Sequence, residues 1–211
     1  EETNFPAAGT AVAGAGTQTA GIACGGNTPS MTTNAFSYDG SSWTAANAMP
    51  YAANNMASCG LAKTSVIYAI GRDGSSGNSG TNKSLTFDGT NFSAGPTLNT
   101  TRMYNVTSGS GTGTAGLVFG GFIDPSPNAM TNTESYNGSS WSNEPALNVA
   151  SSFCAGFGTQ TNTVTQVNSP NYQGSEKFDG TSWTALPDIG VASPGGLYGA
   201  SAGSTGDAGF I

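Results

Sequence analysis

One seven-residue pattern recurs four times along this chain. The copies are Tyr38-Asp39-Gly40-Ser41-Ser42-Trp43-Thr44, Phe87-Asp88-Gly89-Thr90-Asn91-Phe92-Ser93, Tyr136-Asn137-Gly138-Ser139-Ser140-Trp141-Ser142 and Phe178-Asp179-Gly180-Thr181-Ser182-Trp183-Thr184. Successive copies start 49, 49 and 42 residues apart. Asp-Gly and Asn-Gly pairs are the strongest short signal for a hairpin with a type I′ turn, which needs positive φ at both central residues. Aromatic residues stand on both sides, where two paired strands would carry them. The pattern therefore predicts hairpin tips at 38–44, 87–93, 136–142 and 178–184.

A second element precedes each tip. It reads Gly16-Thr-Gln-Thr-Ala-Gly-Ile-Ala-Cys-Gly-Gly26, then Ala62-Lys-Thr-Ser-Val-Ile-Tyr-Ala-Ile-Gly-Arg72, then Gly111-Thr-Gly-Thr-Ala-Gly-Leu-Val-Phe-Gly-Gly121. A fourth, divergent copy begins at Gly158. Each is a turn followed by a short apolar strand that ends at glycine. Small residues upstream, at 11–15, 57–61 and 106–109, suit a crowded inner strand. The unit is thus four strands, a to d. Helical periodicity is interrupted by glycine throughout.

Four-stranded units of this period with aromatic hairpins are a signature of β-propeller blades. The Gly25-Gly26 and Gly120-Gly121 pairs, each followed by Tyr-Asp/Asn-Gly and then Trp, resemble kelch repeats of the galactose-oxidase type. The double glycine weakens to Gly71-Arg72 in the second unit and is lost near 167–169 in the fourth. The form GTQTA, then GG, then YDGSSWT is similar to kelch-like repeats in structural proteins of marine bacteriophages. The resemblance spans almost the whole chain and implies a structural, decoration or host-adsorption role on a virion. Propellers host many functions, so the resemblance speaks more for fold than for activity. The copper centre of the galactose-oxidase type uses histidines, and this chain has none, so that activity does not carry over.

The ends suggest how such a ring closes. Thr3-Asn4-Phe5-Pro6-Ala7-Ala8-Gly9 parallels Thr90-Asn91-Phe92-Ser93-Ala94-Gly95 and reads as a d strand. Residues 195–211 read as an a and a b strand. Together, 1–9 and 195–211 would form a closing blade without a c strand, which removes an open seam. The expectation is one all-β domain over 1–211: a β-propeller of four-stranded antiparallel blades, five in number, the last closed by N- and C-terminal strands. The alternative is a slice of a longer repeat array, since the chain lacks an initiator Met and stops where a Gly-Gly would follow.

Composition narrows the function. Charged residues are 8% of the chain, with 5 Lys+Arg against 12 Asp+Glu and a net charge of −7. Five scattered cations cannot neutralise a phosphate backbone, so nucleic acid is excluded as a partner. Without His, Ser-His-Asp and Cys-His catalysis fall away, as do His-ligated metal sites. No apolar run is long enough for a membrane helix. Glycine-rich polar chains can stay unfolded, but the regular aromatic pattern argues against disorder here.

The remaining constellations read mostly as architecture. Cys24, Cys59 and Cys154 form no C-x-x-C motif and suit buried free thiols on crowded strands. Gly111-Thr-Gly113-Thr-Ala-Gly116 matches a dinucleotide fingerprint, but a strand follows where a helix is required. Asp39, Asp88, Asn137 and Asp179 are explained by turn chemistry rather than acid–base work. Trp43, Phe92, Trp141 and Trp183 are expected to pack between sheets rather than stack on sugars. The 73–80 loop lacks the spacing of a calcium loop. The sequons at Asn82, Asn91, Asn99, Asn105 and Asn137 matter only in a eukaryotic secretory setting. No catalytic residue, metal or cofactor is expected.

In antiparallel units the a–b and c–d turns share one face, and the b–c and d–a loops share the other. The b–c loops, at 27–34, 73–82, 122–132 and 168–174, vary while the turns repeat. A site grafted on a rigid scaffold belongs on the varying face. That face gathers Tyr51, Arg72, Asp73, Arg102, Phe122, Asp124, Asn128 and Tyr172 as candidate partner-binding residues. The sequence thus points to a non-enzymatic module on a virion or extracellular surface, with other virion or surface proteins as partners. The alternative is a free lectin, with glycans as ligands.

Overall fold

The computed structural model describes residues 4–74, 79–103, 109–123, 128–167, 173–188, 202–203 and 209–210. Among them every helix or strand element is a strand. Sheet one holds β1 (Ala13–Thr17), β2 (Ala20–Cys24), β3 (Ala35–Tyr38) and β4 (Trp43–Ala45). A two-residue strand, β5 (Ala53–Asn54), leads to sheet two, made of β6 (Ala57–Ala62), β7 (Ser65–Ala69), β9 (Ser84–Phe87) and β10 (Phe92–Ala94). Strand β8 (Arg72–Asp73) pairs with β5. Sheet three holds β11 (Gly109–Thr112), β12 (Ala115–Phe119), β15 (Thr133–Tyr136) and β16 (Trp141–Glu144), beside a ribbon of β13 (Phe122–Ile123) and β14 (Asn128–Ala129). Sheet four holds β17 (Gly156–Thr159), β18 (Asn162–Gln166), β19 (Ser175–Phe178) and β20 (Trp183–Leu186). A last ribbon joins β21 (Ala202–Gly203) to β22 (Gly209–Phe210).

Each four-stranded sheet is an antiparallel meander in the order a, b, c, d. The a–b turns are two residues long, since Thr17 pairs with Ala20, Ala62 with Ser65, Thr112 with Ala115 and Thr159 with Asn162. The c–d tips correct the type I′ expectation. Tyr38 pairs with Trp43, Phe87 with Phe92, Tyr136 with Trp141 and Phe178 with Trp183, so four residues intervene rather than two. Positive φ falls on Gly40, Gly89, Gly138 and Gly180, at 94–99°, and not on the residue before. The Asp or Asn instead turns its side-chain oxygen onto the two following amides, as described below.

The core lies between sheets. Ile22, Cys24 and Ala35 of sheet one pack with Val66, Tyr68, Leu85, Phe87 and Phe92 of sheet two. Ile67 and Ala69 of sheet two pack with Val118, Tyr136 and Trp141 of sheet three. Leu117 and Phe119 of sheet three pack with Cys154, Phe178 and Trp183 at sheet four. Successive residues of β7 therefore face opposite neighbours, which is the period-2 alternation of a strand covered on both sides. The innermost strands touch in succession: β1 on β6, β6 on β11, β11 on β17, with β21 and β22 against β17.

Glycine ends the b strands where the next unit's entering chain passes close. Gly120 has φ 65°, and a Cβ there would stand 2.6 Å from the Ser151 carbonyl oxygen. Gly25 repeats the arrangement with φ 69° and the Ala53 carbonyl.

At the N-terminal end, residues 4–9 lie in no strand, and most of the 195–211 segment that would close a blade with them lies outside the described residues. Phe5 packs edge-on against Phe36 (5.3 Å between centroids) and Trp43 (5.0 Å). Thr10 exchanges backbone hydrogen bonds with Asn27 as Met103 does with Phe122. Counting back from those bridges aligns Phe5-Pro6 with Leu98-Asn99, the connection entering sheet three. Of the closing segment 195–211, only the β21–β22 ribbon falls within the described residues.

Candidate functional site

Backbone bridges collect the b–c loops and the d–a connections at one end of the sheets. Thr81 bridges Arg102, Met103 bridges Phe122, and Met130 bridges Ser151. Ala53 and Asn54 pair with Asp73 and Arg72. Each pairing joins a b–c loop to a d–a connection, so variable segments are held by main-chain hydrogen bonds rather than left free.

Two groups of the expected residues assemble there. In the first, the Tyr51 hydroxyl donates to the Ser84 carbonyl at 2.9 Å. The Lys83 ammonium sits 5.2 Å from the Tyr51 ring centroid and 2.6 Å from Asp73 Oδ2. Asp73 is buried, whereas the Lys83 side chain is 42% exposed. Burial, and then the Asp73 charge, push the Tyr51 hydroxyl up to about 12. Arg72 is half-buried and paired in the ladder with Asn54, whose amide donates to Asn27 Oδ1 at 3.0 Å. In the second group, the half-buried Phe122 ring meets Phe153 edge-on at 5.3 Å. Asn128 is exposed and lies opposite Ile123 in the β13–β14 ribbon.

Arg102 joins this end through its backbone only: its side chain is fully buried, an interior tie and not a surface contact. Its guanidinium donates to Glu134 Oε1 at 2.6 Å and to the Gly120 carbonyl at 2.8 Å. Asp124 and Tyr172 lie outside the described residues. Sequence reasoning missed Lys83 and Phe153. Lys83 stands one residue past the 73–82 loop, as one of only five cations. Phe153 is a lone large ring in the Ser151-Ser152-Phe153-Cys154 connection, and its φ of 54° marks a constrained turn.

Sequence reasoning also missed a device that fixes this end. Glu134 on β15 accepts the Asn99 and Thr100 backbone amides at 2.7 and 3.2 Å. Glu176 on β19 accepts those of Asn148 and Val149, both at 2.9 Å. A buried carboxylate of one sheet thus grips the chain arriving from the sheet before. Sheet two has Leu85 at the matching position, and the arriving chain there reads Met49-Pro50-Tyr51. Proline has no N–H to satisfy, so one of the two donors that the carboxylate meets is absent there. The signal was a Glu in a c strand, present only where no proline precedes.

On the opposite end, Asp39 Oδ1 accepts the Ser41 and Ser42 amides at 2.8 Å each. Asp88 and Asp179 do the same for their own tips. Asn137 Oδ1 accepts equivalently at 3.0 Å, which is why an amide can replace the acid. These bonds favour the charged form. The Ser42 and Ser41 amides hold Asp39 well below the usual carboxylate range, and the Asn91 and Thr90 amides lower Asp88. The Thr181 hydroxyl, then its amide and that of Ser182, bring Asp179 from 3.8 down to about 2. A depressed folded value means stability that is present above 3.8 and lost as pH falls through about 2. The thermal midpoint is therefore expected to fall across that window. Asp179→Asn, which keeps the acceptor without the charge, should flatten the slope; an unchanged slope would contradict this role.

The cysteines are buried and unbridged, and burial pushes each thiol up to about 12. Phe92, Trp141 and Trp183 are buried between sheets, leaving no open ring face for a sugar. Among the described residues, no three His, Cys, Asp or Glu side chains are grouped to hold a metal.

The fold and this end of it define an all-β repeat protein with a constant turn end and a varied loop end. Compared with known proteins, the chain matches no family model and no curated protein.

Proposed function

We propose that the chain is a non-enzymatic β-propeller module of a virion or cell-surface assembly, serving decoration or host adsorption through its loop end. The observation that carries this reading is the division of labour within one molecule. Turns, inner strands and aromatic tips repeat four times, while the b–c loops differ in length and content, and the first three are pinned to neighbouring connections. A rigid scaffold with variable loops at one end is how binding surfaces are carried. The resemblance of the repeats to kelch-like phage proteins supports the setting. Low charge and a Ser/Thr/Asn/Gly surface suit an exposed part that avoids nonspecific contacts.

In this reading the four sheets are successive blades, and β21–β22 begins a fifth that completes the ring beside β1. The succession of inner strands, continued by that ribbon against β17, supports the order of the blades.

Localisation tests the function. Antibody against the chain should label intact particles or cells of its source at regular surface positions. Absence of surface label, together with saturable binding of the free chain to printed neutral glycans, would overturn the assembly role and favour the lectin.

A further inference from the structure

The third hairpin tip differs from the other three in its chemistry. Asn137 stands where Asp39, Asp88 and Asp179 stand, and Asn137-Gly138 is the only Asn-Gly pair in the chain. The tip is exposed. Asn137 Oδ1 accepts hydrogen bonds from the Ser139 amide (3.0 Å), the Ser140 amide (3.0 Å), the Ser139 hydroxyl (2.9 Å) and the Ser140 hydroxyl (3.4 Å). These donors polarise the side-chain carbonyl. They also surround the atom on which negative charge develops when a nucleophile adds to Cγ, the arrangement that stabilises oxyanions in acyl transfer. The next backbone nitrogen belongs to Gly138, whose missing Cβ leaves the approach unhindered.

We infer that Asn137 is a self-deamidating site, driven by the turn that it builds. The Gly138 nitrogen adds to Cγ and gives its proton to solvent. The Cγ–Nδ2 bond then breaks, and ammonia leaves with a proton from water, so a five-membered imide remains. Water adds at Cγ, the new N–Cγ bond breaks, the Gly138 nitrogen regains a proton, and a carboxylate results. One water is consumed and one ammonia released, with no oxidation or reduction. The aspartate product meets donors placed as they are around Asp39, Asp88 and Asp179, where the matching amide contacts are 2.8 Å. An ionised acceptor strengthens such bonds. The modification therefore fits the tip, makes all four tips alike and adds one negative charge to the turn end.

The test is peptide mapping by mass spectrometry of the full chain held at mildly alkaline pH, folded in one arm and unfolded in denaturant in the other. The expected result is the mass change of an amide-to-acid exchange at Asn137, several-fold faster in the folded arm. Ser139→Ala, which removes the hydroxyl donor but keeps the amides, should slow it. No exchange at Asn137, a folded rate no faster than the unfolded one, or a Ser139→Ala rate equal to the parent's would each overturn the inference. Asn137→Asp supplies an independent check: its thermal midpoint should equal or exceed the parent's, and a lower one would show that the product does not fit.

Discussion

Replacing Glu134 with leucine should destabilise the chain by about 3–5 kcal/mol, the cost of removing one partner from a buried ion pair. The substitution leaves the Arg102 guanidinium uncompensated in a fully buried place. It also strips the Asn99 and Thr100 amides of their acceptor. Sheet two shows what must change together for an apolar residue to work. There Leu85 replaces the carboxylate, Pro50 removes the amide, and Ala53 stands where Arg102 would. The combination Asn99→Pro, Arg102→Ala and Glu134→Leu should therefore recover a large part of the loss. Urea unfolding of the single and combined variants measures both. A single variant within about 1 kcal/mol of the parent would put the pair in the class of exposed, weak salt bridges.

Trp183→Ala should be comparably damaging, at about 3–5 kcal/mol for a large ring lost from a core. The indole lies edge-on to Phe119 at 5.3 Å and tilted on Phe178 at 5.1 Å. Its N–H donates to Thr133 Oγ1 and to the Pro145 carbonyl. Trp141 occupies the same place one sheet earlier, but its buried N–H has no partner, because the Ser84 hydroxyl takes the Pro96 carbonyl instead. Trp183→Phe should therefore cost about 1 kcal/mol more than Trp141→Phe, the net worth of a hydrogen bond. Equal costs would show that the indole N–H contributes nothing to how the sheets join. Trp43, half-buried beneath Phe5, should lose less than either on replacement by alanine.

The repeat pattern carries the strand order, the hairpin positions and the inward rings, because those features depend on residues close in sequence. The turn type was misread because an Asp-Gly pair does not report loop length; only the Tyr38–Trp43 register does. Arg102 looked like a surface cation because its partner, Glu134, lies 32 residues away in another strand. Lys83 was overlooked because its anchor, Asp73, is fixed by a loop and not by a period. Phe5 resembled Phe92 in local sequence, yet its place follows from the Thr10–Asn27 bridge, a long-range contact. Of the loop end, the shared location was legible from strand alternation. The side-chain pairings across it were not.

The proposed ring requires the first and the last of these sheets to meet. Nuclear Overhauser contacts between the β21–β22 ribbon and β1 test it most directly. A closed ring places Ala202–Gly203 or Gly209–Phe210 beside Ala13–Thr17, in addition to their contacts with β17. Observed cross-peaks between these segments in the isolated chain are the expected result. A ribbon that shows contacts to β17 and none to β1 would contradict closure and leave an open array of four sheets.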